Sequence, residues 1–342
     1  MDRRTLLKSG LALGLLGPAR ALAASQVAQA PSVDALPELK GSLTLYLGRG
    51  EGGLYETLIE AIRKRNPQLD LKVRRGPSAS LANTLVAEHQ AGVQRADAFW
   101  SIDSSSLGLV VDQGMARAVP EALRAPVREP FSADAWVPIS GRIRTLPFNP
   151  QRVTAERLPD DIMAFADSDL KLGWAPAYGA FQSFLTAMRL LEGEQRTREW
   201  LRGVKQRATS YAGEFGVVMA VERGEIDAGF ANHYYTLRLK QGKPSASVAL
   251  GFTDGDAGSL VNASGVALLS DNPAAAGLVR YLQTQQAQRF LAEQAFELPM
   301  VQGVAMPAGL PPMSDINPPQ VELSQLADLR PTLALMRETG VL

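Results

Sequence analysis

Three phenols carry the most distinctive chemistry in this chain. Tyr234 and Tyr235 are adjacent in FANHYYTLRL (230–239), and Tyr178 stands in GWAPAYGAF (173–181). The whole chain has seven tyrosines and two histidines, and one of those histidines, His233, directly precedes the pair. A phenol keeps its proton up to about pH 10. Hard cations prefer oxygen ligands, and only a strongly charged one displaces that proton near neutral pH, with release of protons on binding. Three phenolates would balance a trivalent cation, of which Fe³⁺ is the biologically abundant one. Neighbours on a regular strand point to opposite faces. The pair therefore converges only at a turn or a helix start, which is where it falls, after DAGFAN and before TLRLK. The same residues also read as packing, since a tyrosine at the start of an amphipathic segment commonly buries its ring and bonds its hydroxyl. The residues alone leave both readings open. His233 reads as a surface residue or a neighbour supporting the pair, and His89, in VAEHQAG, as an exposed helix residue.

The elements that must hold these groups follow a regular pattern. GSLTLYLG (41–48) alternates polar and apolar residues and ends on glycine, as a strand does. LYETLIEAIRKRNP (54–67) has helical spacing and is stopped by Asn66-Pro67. LDLKVRRG (69–76) is a second strand, ASLANTLVAEHQAG (79–92) a second helix and ADAFWSID (96–103) a third strand. Residues 171–193 predict a short strand, a turn and a long helix, and residues 215–235 a helix followed by a strand at IDAGFA. Strands alternating with helices predict βαβ units and an α/β fold with a largely parallel sheet. In such sheets ligands sit beyond the carboxyl ends of strands. Arg49 and Glu51, Asp103, Tyr178, and Asn232 to Tyr235 all fall just past predicted strand ends. Asp103 also suits the N-cap of the helix after it, and Arg49 a solvated loop charge.

Composition narrows the function classes. The chain has 342 residues, 46% hydrophobic and 20% charged, enough for a substantial core and for two lobes. Its formal net charge is zero and no basic stripe or nucleic-acid motif is present, so nucleic acid is not an expected partner. The absence of cysteine removes disulfides, thiolate metal sites and cysteine nucleophiles. MDRRTLLKSGLALGLLGPARALAAS has a charged start, an apolar run and a small-residue site at Ala21-Leu22-Ala23, the layout of a secretory signal. Arg3-Arg4 followed by Leu6-Leu7-Lys8 fits a twin-arginine signal, the alternative being a Sec signal with two basic residues at its start. Removal of residues 1–23 takes away Arg3, Arg4, Lys8, Arg20 and Asp2, leaving a mildly acidic remainder of about −3. No cysteine follows the cleavage site to carry a lipid anchor. Residues 24–40, rich in Ala, Pro and Ser, read as a flexible leader, and the mature chain as an exported, periplasmic protein.

Several blocks in order, LTLYLGRGEGGLYETLIEAI, ADAFWSIDSSSLGLV, SGRIRTLPFNP, GWAPAYGAFQSFLTAMRLLEG, WLRGVK, AVERGEIDAGFANHYY and GDAGSLVNASGVALL, carry a resemblance over roughly residues 41–305. The chain resembles the periplasmic ferric-ion-binding proteins of ABC iron importers. The resemblance implies a two-lobe class II periplasmic binding protein, each lobe a mixed, mostly parallel sheet flanked by helices. It implies an amino-terminal lobe of residues 41–140 and 265–315 and a carboxy-terminal lobe of 141–264 and 316–342. It further implies an inner-membrane ABC permease as partner and a monomeric, non-enzymatic binding protein.

The paired tyrosines of that family bind Fe³⁺, and Tyr234 and Tyr235 match them. Some members add a histidine, a glutamate and an anion such as phosphate; here Gly50 and Ile102 occupy those two positions. Others add a third tyrosine and carbonate held by an arginine, and Tyr178 and Arg49 match that pattern. Glu214 departs from both, standing where many members have an asparagine near the anion, so that it either repels carbonate or reaches the metal itself. Phe148 stands where relatives often have tyrosine and reads as packing. Asp103, Arg142, Gly179 and Asn232 are further candidates to line the cleft or orient a ligand. Two other readings remain. The same fold takes small organic ligands, such as a phosphonate, a polyamine or a thiamine-like molecule. An exported hydrolase would draw on Ser101 or Ser104–Ser106, without a Gly-x-Ser-x-Gly elbow and with only His89 or His233 as base.

Overall fold

The structure, a computed structural model, describes residues 30–48, 54–129 and 131–342; the signal segment, Arg49, Gly50 and Glu51 lie outside these residues. From the amino terminus the order is β1 (Gly41–Leu47), α1 (Leu54–Arg65), β2 (Leu69–Arg75), α2 (Ser78–Gln90), β3 (Ala98–Ser101), α3 (Ser104–Asp112), α4 (Glu121–Arg124) and β4 (Val137–Phe148). Then come β5 (Leu172–Trp174), α5 (Gly179–Glu192), α6 (Glu194–Lys205), β6 (Ala208–Ser210), α7 (Glu214–Glu222), β7 (Ala228–Gly229), β8 (Ala231–Asn232), α8 (His233–Gly242) and β9 (Ala249–Gly251). The chain continues through β10 (Val261–Leu268), α9 (Pro273–Leu282), α10 (Gln285–Gln294), β11 (Leu298–Pro299) and α11 (Arg330–Glu338).

Two parallel groups, β2-β1-β3 and β7-β5-β6, flank a central antiparallel pair, β10 and β4. β4 belongs to both halves. Its first part pairs with β10 and β11, its last part with β8, β9 and β7. The change of partner is abrupt: Ile143 is opposite Val261 of β10, and Arg144 is opposite Asn232 of β8. All 12 residues of β4 are buried. A strand covered on both faces loses the alternation that a half-exposed strand displays, and Pro138, Gly141 and Pro147 break the apolar run further. The sequence pattern therefore gives no sign of β4. A Cβ at Gly141 would meet the flexible end of Met300, which can move aside, and would lie a tight 3.3 Å from Leu298 Cβ, where β11 pairs with β4.

The predicted elements from β1 to α2 stand within a residue or two of their expected bounds. The strand expected at IDAGFA is broken into β7 and β8, each two residues long. The expectation of a flexible leader is corrected from residue 30 onward. Ala30 is buried, Gln285 bonds the Ala30 and Pro31 carbonyls, and the Leu39 amide donates to Asn66 Oδ1 at 2.8 Å. Side-chain amides on α10 and after α1 satisfy this backbone and hold it on the domain.

An aromatic cluster packs around the end of β5. Trp174 at the end of β5 meets Phe181 of α5 edge-on at 5.8 Å, and Phe230, between β7 and β8, touches Phe165, Phe181, Phe184 and Trp200 with centroids 5.4 to 6.4 Å apart. All these rings are buried. They fix where β5 ends and α5 begins, and where β8 hands over to α8. Phe230→Ala is expected to cost about 3–5 kcal/mol, read as a lowered urea midpoint of the metal-free protein.

Candidate metal centre

Tyr178 is the N-cap residue of α5, directly after β5, and Tyr234 and Tyr235 lie in the first turn of α8. The structure brings all three together. Tyr178 and Tyr235 share a hydrogen bond between their hydroxyl oxygens at 2.8 Å, across 57 residues of sequence. The Tyr234 and Tyr235 rings are 4.5 Å apart at their centroids. Burial raises the Tyr234 and Tyr235 phenols above their ordinary range, and the nearby Tyr178 phenol adds to the effect for both. Both therefore hold their protons tightly until something strongly charged competes for the oxygens. Arg238 lies over the Tyr234 ring at 4.8 Å, and the ring of Phe215, a large exposed apolar side chain, flanks Tyr235 at 6.2 Å.

Three helix starts meet here, and one ion pair ties them. Glu214, the first residue of α7, is fully buried. Its Oε1 meets Arg144 Nη1 at 2.5 Å, and its Oε2 accepts the Asn232 amide, at the start of α8, at 2.8 Å. Arg144 Nη2 donates to the Ala180 carbonyl in α5 at 2.7 Å, and the guanidinium lies over Phe184 at 5.2 Å. Both oxygens of Glu214 are thus engaged within the protein. Its charge is met by Arg144. The sequence reading assigned Arg144 no role, although Arg142 and Arg144 are two apart on one strand and so share a face.

The other candidates fall in distinct places. Arg142 Nη2 donates to the Ile102 carbonyl, beyond β3 in the other half of the molecule, while its charge acts to lower the Tyr234 phenol. Arg142 Nε and Asn232 Nδ2 are buried without a hydrogen-bond partner. Buried donors normally find one, so both are available to a bound group. Asp103 caps α3, its Oδ1 accepting the Ser106 amide at 2.7 Å. His89 is exposed and Phe148 buried, as expected. His233 is not on the surface. It is fully buried, Nδ1 accepting the Ile143 amide at 3.1 Å and Nε2 donating to the Phe296 carbonyl at 2.5 Å. Of the serines considered for hydrolysis, Ser101 is engaged on the Asp103 carbonyl, Ser104 on Asn262 and Ser105 on the Leu326 carbonyl. Among the described residues no cluster of three or more His, Asp or Glu side chains is arranged to hold a metal, which leaves the phenols as the grouped oxygen donors.

Two sheet halves joined through β4 and β10, with polar groups gathered past the strand ends, define a two-lobe solute-binding protein of the class II periplasmic type. The chain belongs to the bacterial extracellular solute-binding protein family, whose model matches residues 43–297. It is 29% identical to the Fe(3+)-binding periplasmic protein of Serratia marcescens, over 97% of this chain and 99% of that one. It is 30% identical to iron uptake protein A2 of Synechocystis, over 70% of this chain and 73% of the relative. Among solved structures, iron-bound HitA from Pseudomonas aeruginosa superimposes with a TM-score of 0.77 at 27% identity, covering 89% of this chain and 100% of that one. The family is one of binding proteins that serve transport, not of enzymes.

Removing one partner of the buried pair leaves the other charge uncompensated. Glu214→Ala is expected to cost about 3–5 kcal/mol, and joint replacement of Arg144 and Glu214 by methionine less than the sum of the single changes, measured by urea unfolding. Burial pushes the His233 imidazole down to about 4, against its ordinary 6.5. The neutral ring is therefore favoured by folding, and its contribution is complete above about pH 6.5 and lost as pH falls toward 4, up to about 3 kcal/mol. The stability difference between wild type and His233→Gln is expected to shrink by that amount over this range.

Proposed function

We propose that this chain captures Fe³⁺ outside the cytoplasm and delivers it to an inner-membrane ABC permease, with Tyr178, Tyr234 and Tyr235 as metal ligands. The observation that carries this reading is the meeting of three phenols from two helix starts, joined by the Tyr178 to Tyr235 hydrogen bond. Deprotonated together, they match the charge of Fe³⁺ and release protons as it binds. The names of the Serratia relative and of the iron-bound Pseudomonas structure support the same cargo.

Carbonate is the proposed companion anion. Its negative charge suits Arg49 through a bidentate contact, and the free donors Arg142 Nε and Asn232 Nδ2 suit it further. In this reading the lobes divide near residues 140 and 264. Arg49 comes from one lobe and the tyrosines from the other, so metal and anion together favour the closed state by the difference in their affinity for the two states. The permease then reads the closed shape. The mature protein is periplasmic after twin-arginine export, monomeric and without a lipid anchor.

Visible-absorbance titration of the metal-free mature protein with ferric citrate, with and without bicarbonate, tests the reading. Wild type is expected to give a saturable one-to-one phenolate band that requires bicarbonate. Tyr235→Phe is expected to lose at least the roughly 10–100-fold in affinity that loss of an outer partner alone costs. No band under any condition would sink the iron assignment and favour an organic ligand walled by the tyrosines.

A further inference from the structure

We propose that His233 is the positioning residue that aims the tyrosine pair, an inference that rests on Tyr234 and Tyr235 being the iron ligands. Two short strands pair with β4 around this point. β11 sets Leu298 opposite Gly141, and β8 sets Asn232 opposite Arg144. Arg142 and Ile143 lie in the interval between them. One residue past Asn232, the chain leaves β8 and turns into α8, so no backbone acceptor follows to meet the Ile143 amide. The imidazole of His233 takes that place, with Nδ1 accepting from Ile143 at 3.1 Å.

Its other nitrogen is also committed. Nε2 donates to the carbonyl of Phe296, a residue held at φ 57° in the turn between α10 and β11. With one nitrogen accepting and the other donating, the ring is the neutral tautomer protonated at Nε2. It is fully buried and spans from the tyrosine helix to the segment leading into β11. The Tyr234 ring meets it edge-on at 5.6 Å.

These contacts fix the rotation of the first turn of α8. Tyr234 and Tyr235 follow His233 by one and two residues, so a rotation of that turn swings both phenols. Neither tyrosine hydroxyl is bonded to the imidazole; its action on iron is through orientation alone. Two substitutions separate its bonds. In His233→Asn the short amide reaches the Nδ1 position and keeps an acceptor for Ile143 while giving up Phe296. In His233→Gln the longer amide reaches the Nε2 position and gives up Ile143.

The test compares wild type and both variants by ferric citrate titration with bicarbonate, and by near-ultraviolet tyrosine dichroism of the metal-free proteins. For His233→Gln the expected result is a displaced phenolate band, an affinity lower by about tenfold or more and altered tyrosine dichroism. His233→Asn is expected to restore the wild-type band position and dichroism, even if its melting temperature is lower. Wild-type band and affinity in His233→Gln would overturn the proposal, as would the same displaced band in both variants. If His233→Gln does not fold, a displaced band in His233→Asn overturns it and an unmoved one supports it. A wild-type protein with no band removes the iron assignment, and the dichroism then decides the role of His233 by itself: change in His233→Gln and not in His233→Asn supports it, and no change in either overturns it.

Discussion

The candidate site depends on one buried ion pair. Arg144 and Glu214 come from β4 and α7, 70 residues apart, and both are almost wholly removed from water. Such a pair gains little net stability over a well-packed apolar pair. Its value here lies in direction. The guanidinium fixes α5 through Ala180, and the carboxylate fixes α8 through the Asn232 amide. Those two helices carry the three phenols. A carboxylate at the first residue of α7 also suits the positive end of that helix. The arrangement thus converts a charge pair of modest worth into the alignment of three helix starts.

Around this pair the donors divide by task. Glu214 and His233 have their polar contacts filled by protein groups, and Arg144 is held through both terminal nitrogens while its Nε has no partner. The phenols bond chiefly to one another, and Arg142 Nε and Asn232 Nδ2 have no partner. In the proposed reading, the phenols, Arg142 Nε and Asn232 Nδ2 are the groups left to meet a solute. The raised pKa of Tyr234 and Tyr235 belongs to the same logic: a phenol that stays neutral avoids placing charge where water reaches it poorly.

How much of this was legible in the sequence follows from the range of each interaction. The elements from β1 to α2 are local and half-exposed, so their periodicity reports them. The tyrosine pair was legible as a helix start because adjacency rules out a shared face on a strand. The long β4 was not, since burial on both faces erases its alternation. Glu214 stood out only as an anomaly, because its answer, Arg144, is distant in sequence. His233 was left between surface and support for a similar reason: its partners are backbone groups 90 and 63 residues away, with no side-chain signature. Arg49, read from its place past a strand end, lies outside the described residues.

The continuity of β4 limits how the protein moves. One strand, buried along its whole length, is ladder-bonded in both halves, and its neighbour changes between two consecutive residues. Sliding one half over the other would break paired registers on both sides of that point. The Arg144 amide still donates to the Leu260 carbonyl beside β10, and the Ile143 amide donates to His233 Nδ1, so bonds straddle the Ile143–Arg144 junction as well. The two halves are therefore joined by a bonded strand rather than by a free tether. Any movement of one half against the other has to carry or break these bonds, so the backbone constrains the room a solute is offered before any ligand atom is touched.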